Sequence, residues 1–76
     1  MSKTNSFRTS QHVTWSWGNG TAKGQIKERF EREVTRTLDG SEITRKGDSD
    51  NPAYLIEQED GDQVLKLGSE LEADKT

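Results

Sequence analysis

The sequence predicts an all-β fold, a small five-stranded barrel, and three observations carry the prediction. Apolar residues recur with period two along most of the chain. Two Asp-Gly dipeptides, Asp39-Gly40 and Asp60-Gly61, each sit between such alternating segments, the strongest short-range sign of a hairpin. Five short strands with one apolar face each cannot bury themselves as an open sheet this small, for Leu, Ile, Val and Phe together number only 13 in 76 residues, a share at which disorder of the chain is the rival reading.

The first strand is HVTWSW, with Val13, Trp15 and Trp17 on one face and His12, Thr14 and Ser16 on the other. Gly18-Asn19-Gly20 ends it. From Ala22 the even positions run Ala22, Gly24, Ile26, Glu28, Phe30, Arg32 and Val34. They describe a long strand, apolar at both ends and interrupted in the middle, and that interruption, with Gly24 near the start, suggests a bent strand or a bulge. Ile26, Phe30 and Val34 also fit one face of a helix, and the hairpin that follows decides for strand.

In VTRTLDGSEITR a two-residue loop at Asp39-Gly40 pairs Leu38 with Ser41, Arg36 with Ile43 and Val34 with Arg45. Thr35, Thr37, Glu42 and Thr44 then form a polar outer face. In AYLIEQEDGDQVLKL the same geometry at Asp60-Gly61 pairs Ile56 with Leu65 and Tyr54 with Leu67. That register puts Tyr54, Ile56, Leu65 and Leu67 on one core face, and Leu55 and Val64 on the other with Glu57 and Lys66. Residues 46–52 are a loop by composition. Ser69 is placed to N-cap a short C-terminal helical turn that tucks Leu71 against the barrel end. Residues 1–6 and 73–76 read as flexible tails around one domain at 7–72. Closing the five strands into a strongly bent SH3-like barrel buries their shared face and removes their edges.

Composition bounds the function. With no Cys, neither a disulfide nor a thiolate metal site supports the fold. The net charge of -3 is too small to mark a disordered chain. No apolar run follows the N-terminus and nothing approaches the roughly 20 apolar residues of a membrane span. A cytoplasmic protein without signal peptide or membrane association is therefore expected. Residues 1–32 hold six basic side chains against two acidic, whereas residues 48–76 hold nine acidic against two basic. The overall acidity argues against a general nucleic-acid binder, whose affinity comes mainly from phosphate neutralisation.

No catalytic constellation is legible, and no enzyme, cofactor or metal is expected. His12 is the only imidazole and reads as a surface residue. DSDN and EQEDGD lack the alternating ligands and terminal Glu of a calcium loop. GNGTAKG lacks the Gly-Lys-Ser/Thr ending of a phosphate-binding loop. The five aromatic residues remain: Phe7, Trp15, Trp17, Phe30 and Tyr54. A methyl-ammonium cage wants three or four converging rings, and a core this poor needs most of them. Trp15 is assigned to the core. Trp17, at the strand's end beside Gly18, is the first candidate for ligand contact, with Tyr54 and Trp15 behind it. A nucleic-acid surface would instead combine Trp17 with Lys23, Lys27, Arg29 and Arg36.

VTWSWGNGTAKGQIKE, VTRTLDGSEITRKG, NPAYLIEQEDGDQVLK and SELE, in this order over residues 7–72, resemble the hypervirulence-associated TUDOR domain family of bacteria and fungi. Its members open with Phe, a Gly-Asp pair and Val-x-Trp. Here Phe7 and Val13-Thr14-Trp15 are in place, with Ser10-Gln11 where Gly-Asp would stand. The resemblance implies a Tudor-like, SH3-like barrel. Analogy with Tudor domains suggests peptide or nucleic-acid binding. The expectation is a monomeric, non-enzymatic binding or adaptor module, with a protein or peptide partner favoured over nucleic acid.

Overall fold

The alternating segments are strands. In a computed structural model, which describes residues 6–38 and 40–74, the chain forms β1 (His12–Trp17), β2 (Gly20–Phe30), β3 (Glu33–Leu38), β4 (Ser41–Lys46), β5 (Ala53–Gln58) and β6 (Gln63–Leu67). A single 3-10 turn, Gly68–Glu70, and a two-residue strand β7 (Glu72–Ala73) follow. All pairings are antiparallel. One sheet has the order β6-β5-β2-β1-β7, and β3-β4 form a separate two-stranded sheet.

The sheets do not close into the expected five-stranded barrel, and β2 shows why. Its pairing with β5 slips between Ile26 and Glu28. The extra residue of this bulge moves the even positions from one face of the sheet to the other. Ile26 packs with Phe7, Val13, Trp15, Tyr54, Ile56 and Leu71 in a first core. Phe30 packs with Val34, Leu38, Ala53, Leu55 and Leu65 in a second. The strand stops at Phe30, bends at Glu31 and Arg32, and resumes as β3, so Val34 belongs to a different strand from Ile26. The helical alternative for residues 25–34 is not adopted. Strand β5 lies between the two cores, and Ala53, Tyr54, Leu55 and Ile56 are all buried. Tyr54 and Ile56 serve the first core, Ala53 and Leu55 the second.

The first hairpin has the predicted register, with Leu38 opposite Ser41, Arg36 opposite Ile43 and Val34 opposite Arg45. Asp39 lies outside the described residues. The Thr35 and Thr44 hydroxyls, on the polar outer face, are 2.8 Å apart.

The second hairpin differs by one residue. Ile56 faces Val64 and Leu55 faces Leu65, while Tyr54 faces Lys66 and Ala53 faces Leu67. The Gln58 N–H donates to the Asp62 carbonyl at 2.7 Å, and the Gly61 N–H to the Gln58 carbonyl at 2.9 Å. The loop is therefore Glu59-Asp60-Gly61, with Gly61 at φ 91°. This is the three-residue loop whose last position is left-handed and suits glycine. A one-residue slip exchanges the two faces of a strand. Val64 consequently joins Ile56 toward the first core, and Leu65 joins Leu55 in the second.

Two further details depart from expectation. Ser69 does not cap the 3-10 turn: the Glu70 carboxylate accepts from the Leu67 N–H at 2.8 Å instead. Ser69 is held by the Asn51 side chain, which accepts from its N–H at 2.8 Å and donates to its hydroxyl at 3.1 Å. Leu71 is fully buried, as expected. Beyond Glu72, Ala73 pairs with Val13 and the Asp74 N–H donates to the His12 carbonyl at 3.0 Å, so ordered pairing extends past the expected start of the tail.

Before β1, the Gln11 N–H closes a turn onto the Arg8 carbonyl at 3.1 Å, and the Ser10 N–H donates to the Ile26 carbonyl at 2.7 Å. Ser10 adopts φ 73°, a left-handed conformation that costs a non-glycine residue about 1–2 kcal/mol.

Two substitutions test this account. Replacing Ser10 by Gly relieves the left-handed strain, partly offset by glycine's greater unfolded entropy. A net gain of about 0.5–1 kcal/mol is expected in denaturant unfolding. Gly24→Ala acts oppositely, because its Cβ would lie 2.7 Å from both the Glu57 carbonyl oxygen and the Ile56 Cγ2. A loss of about 1–3 kcal/mol is expected, visible as a fall in Tm on the order of 4–8 °C per kcal/mol.

Candidate functional site

Strand alternation sends Val13, Trp15 and Trp17 to one face of β1, and their cross-strand partners give them different fates. Trp15 stands opposite Ala22, whose small side chain leaves room for the indole, and it is 5% exposed within the first core. Trp17 stands opposite Gly20, which offers no side chain to pack against. The strand ends at once in Gly18. The ring is 65% exposed, the one large apolar side chain so exposed among the described residues.

Beside it runs a groove of about 380 Å³ lined by Trp15, Trp17, Ala22, Gln58, Val64 and Lys66. Its walls are mainly apolar, with one amide and one ammonium group as polar contacts. Trp15 and Trp17 were anticipated; Val64 and Lys66 were not, because the two-residue loop expected at Asp60-Gly61 turns them to the opposite face. Gly61 suits the left-handed last position of the three-residue loop and equally the second position of a two-residue one, so local sequence left the register open.

Tyr54 is wholly buried. Its ring meets Phe7 edge-to-face, with centroids 5.7 Å apart and planes at 76°. Its hydroxyl accepts from the Phe7 N–H at 2.7 Å and from Arg29 Nε at 3.4 Å. Phe30 lies beneath two guanidinium groups, Arg32 at 5.4 Å and Arg36 at 5.0 Å. The structure therefore brings only Trp15 to Trp17, and places Lys66 beside them. Two rings and a resident cation do not make a cage for a methyl-ammonium group.

The four basic candidates lie apart from Trp17. Lys23 pairs across to Thr14, on the opposite face of the sheet, by a polar cleft that includes His12, Glu57, Glu59 and Asp74. Lys27 contacts Glu57 at 3.4 Å and Arg36 contacts Glu28 at 3.9 Å. Arg29 bonds to the Tyr54 hydroxyl and to Glu31. These hydrogen bonds, Tyr54 first, raise its pKa above the ordinary arginine value, so it stays cationic. Three of the four cations thus already face a carboxylate. Among the described residues no three His, Asp or Glu side chains cluster to hold a metal ion, and no helix is long and apolar enough to cross a membrane.

The two tryptophans separate by mutation. Trp15→Ala is expected to cost about 3–5 kcal/mol in thermal or denaturant unfolding. Trp17→Ala is expected to stay within about 0.5 kcal/mol of the parent, as exposed substitutions do.

A family model, hypervirulence associated proteins TUDOR domain, matches residues 11–71, from the residue that closes the Ser10 turn to the buried Leu71. No curated protein and no solved structure matches the chain at significant similarity. With the match spanning both hairpins, the bulged strand and the tryptophan pair, this chain belongs to the hypervirulence-associated protein TUDOR domain family.

Proposed function

We propose that the domain is a non-enzymatic, monomeric protein-interaction module of the cytoplasm that seats an apolar side chain of a peptide partner against Trp17. The observation that carries this reading is Trp17 itself, exposed at the mouth of a mainly apolar groove. Keeping an indole in water sacrifices burial that a chain this poor in apolar residues needs elsewhere. Gln58 and Lys66 supply the polar contacts that would orient a peptide backbone or an acidic group. The pairing of Lys27, Arg29 and Arg36 with carboxylates weighs against the nucleic-acid alternative, since a phosphate would have to displace those partners.

An NMR titration tests it, following the indole N–H signals of Trp15 and Trp17. Peptides carrying Leu or Phe are expected to move the Trp17 signal, with an affinity little changed between about 50 and 200 mM salt. A response to single-stranded DNA or RNA at Lys23, Lys27, Arg29 and Arg36, falling steeply over the same salt range, would assign the surface to nucleic acid. A Trp17 signal unmoved by every ligand removes the groove from consideration.

A further inference from the structure

We infer that the seam between β4 and β6 accepts a short extended segment of a partner protein, rich in Lys or Arg, which adds as a strand between the two open edges. The inference rests on the reading of the domain as a peptide-binding module, and adds strand-edge pairing to the contacts of the Trp17 groove.

Among the described residues β6 pairs only with β5, and β4 only with β3. Strand alternation identifies their free groups. The Gln58 N–H bonds to the Asp62 carbonyl, so even positions of β6 face β5, while Gln63 and Leu65 direct N–H and C=O away from it. Leu67 keeps the same phase, its N–H taken by the Glu70 carboxylate. On β4, Ser41 pairs with Leu38, and the Gly47 N–H reaches the Arg32 carbonyl at 3.2 Å. Odd positions therefore face β3, and Glu42 and Thr44 direct their backbone groups outward. No backbone hydrogen bond joins β4 to β6 among the described residues.

The seam is shut at one end and open at the other. Arg45 contacts Glu70 at 3.8 Å, and Ile43 and Leu67 pack on the same core. Toward the hairpin tips it widens into a cleft of about 500 Å³, whose walls include Leu38, Ser41 and Ile43 on one side and Gln58, Asp62 and Val64 on the other. Volumes of about 300–1,000 Å³ are typical of ligand sites. An added strand would turn alternate side chains onto Leu38 and Ile43, on the second core's face, and the others to the opposite face, on which Val64 lies.

Charge selects the occupant. Asp62 lines the cleft, Glu42 lies on the free edge, and Glu59 and Asp60 form the adjacent turn. No Lys or Arg is among the lining residues. A basic segment complements this mouth, whereas a second copy pairing edge to edge would bring Glu42 and Asp62 against their own kind. Gln58 and Val64 line both this cleft and the Trp17 groove, so one peptide would reach both.

The test is a titration of the full chain with acetyl-Lys-Val-Lys-Val-Lys-Val-amide, read from backbone amide NMR signals. Shifts at Glu42, Thr44, Gln63 and Leu65 are expected. Binding should weaken roughly tenfold or more when Glu replaces Lys in the peptide, and likewise in Gln63→Pro, which removes an outward N–H without touching the β5 ladder. Should Gln63→Pro not fold, Glu42→Lys provides the same comparison and the same expected loss. Equal affinity for the acidic peptide, or undiminished binding by the folded variant, overturns the proposal. So do shifts confined to Trp15, Trp17 and Ala22, which would leave the Trp17 reading standing. Shifts that grow with protein concentration alone would assign the edges to a second copy and overturn it too. No shift at millimolar peptide also overturns it, and the Trp17 groove is then judged by its own titration.

Discussion

The fold depends on one strand being buried on both faces. A chain with 13 Leu, Ile, Val and Phe residues cannot fill two cores from separate sets of strands. β5 solves this by sending Tyr54 and Ile56 to one side and Ala53 and Leu55 to the other. Its neighbour β2 follows suit through the bulge after Ile26, which lets a single strand supply Ile26 to the first core and Phe30 to the second. At roughly 1.5–3 kcal/mol for each large apolar side chain removed from water, each such double use matters in a domain of this size.

Polar groups that accompany this burial are tied off locally. The Tyr54 hydroxyl, carried into the first core, takes the Phe7 N–H and so fastens the segment ahead of β1. The side chain of Asn51 clasps Ser69, and the Pro52 carbonyl takes the Gly68 N–H at 2.8 Å. The entry to β5 is thereby fixed against the turn that delivers Leu71 to the core. No described buried side-chain nitrogen or oxygen lacks a partner, the condition under which buried polar atoms are tolerated.

The same economy shapes the surface available for binding. Phe7, Trp15, Phe30 and Tyr54 are consumed by the cores, which leaves Trp17 alone in solvent. It escapes burial through position: its cross-strand neighbour is Gly20, and the sheet ends beside it. The hairpin β3-β4, displaced from the main sheet by the bend at Glu31 and Arg32, covers the second core, but among the described residues no backbone hydrogen bond joins it to β6. The open seam thus follows from the bend that separates β2 from β3.

The strand segments apart from the break at Glu31-Arg32 and β7, the first hairpin's register, an interruption within β2 and the separate fates of Trp15 and Trp17 were legible from period-two alternation, a two-residue turn and glycine placement, because these act between residues close in sequence. The register of the second hairpin was not. Asp60-Gly61 fits both a two-residue and a three-residue loop, and only packing of Val64 against the first core and Leu65 against the second selects the longer one. The left-handed conformation of Ser10 was hinted at only by its standing where the family has Gly, and the bond between its N–H and the distant Ile26 carbonyl accompanies it. Sequence alone determined that the chain is all-β and that Trp17 stands at a strand's end. Tertiary structure decided that the sheets stay open and that Val64 and Lys66 join Trp17, because both depend on which face of β5 and β6 meets which core.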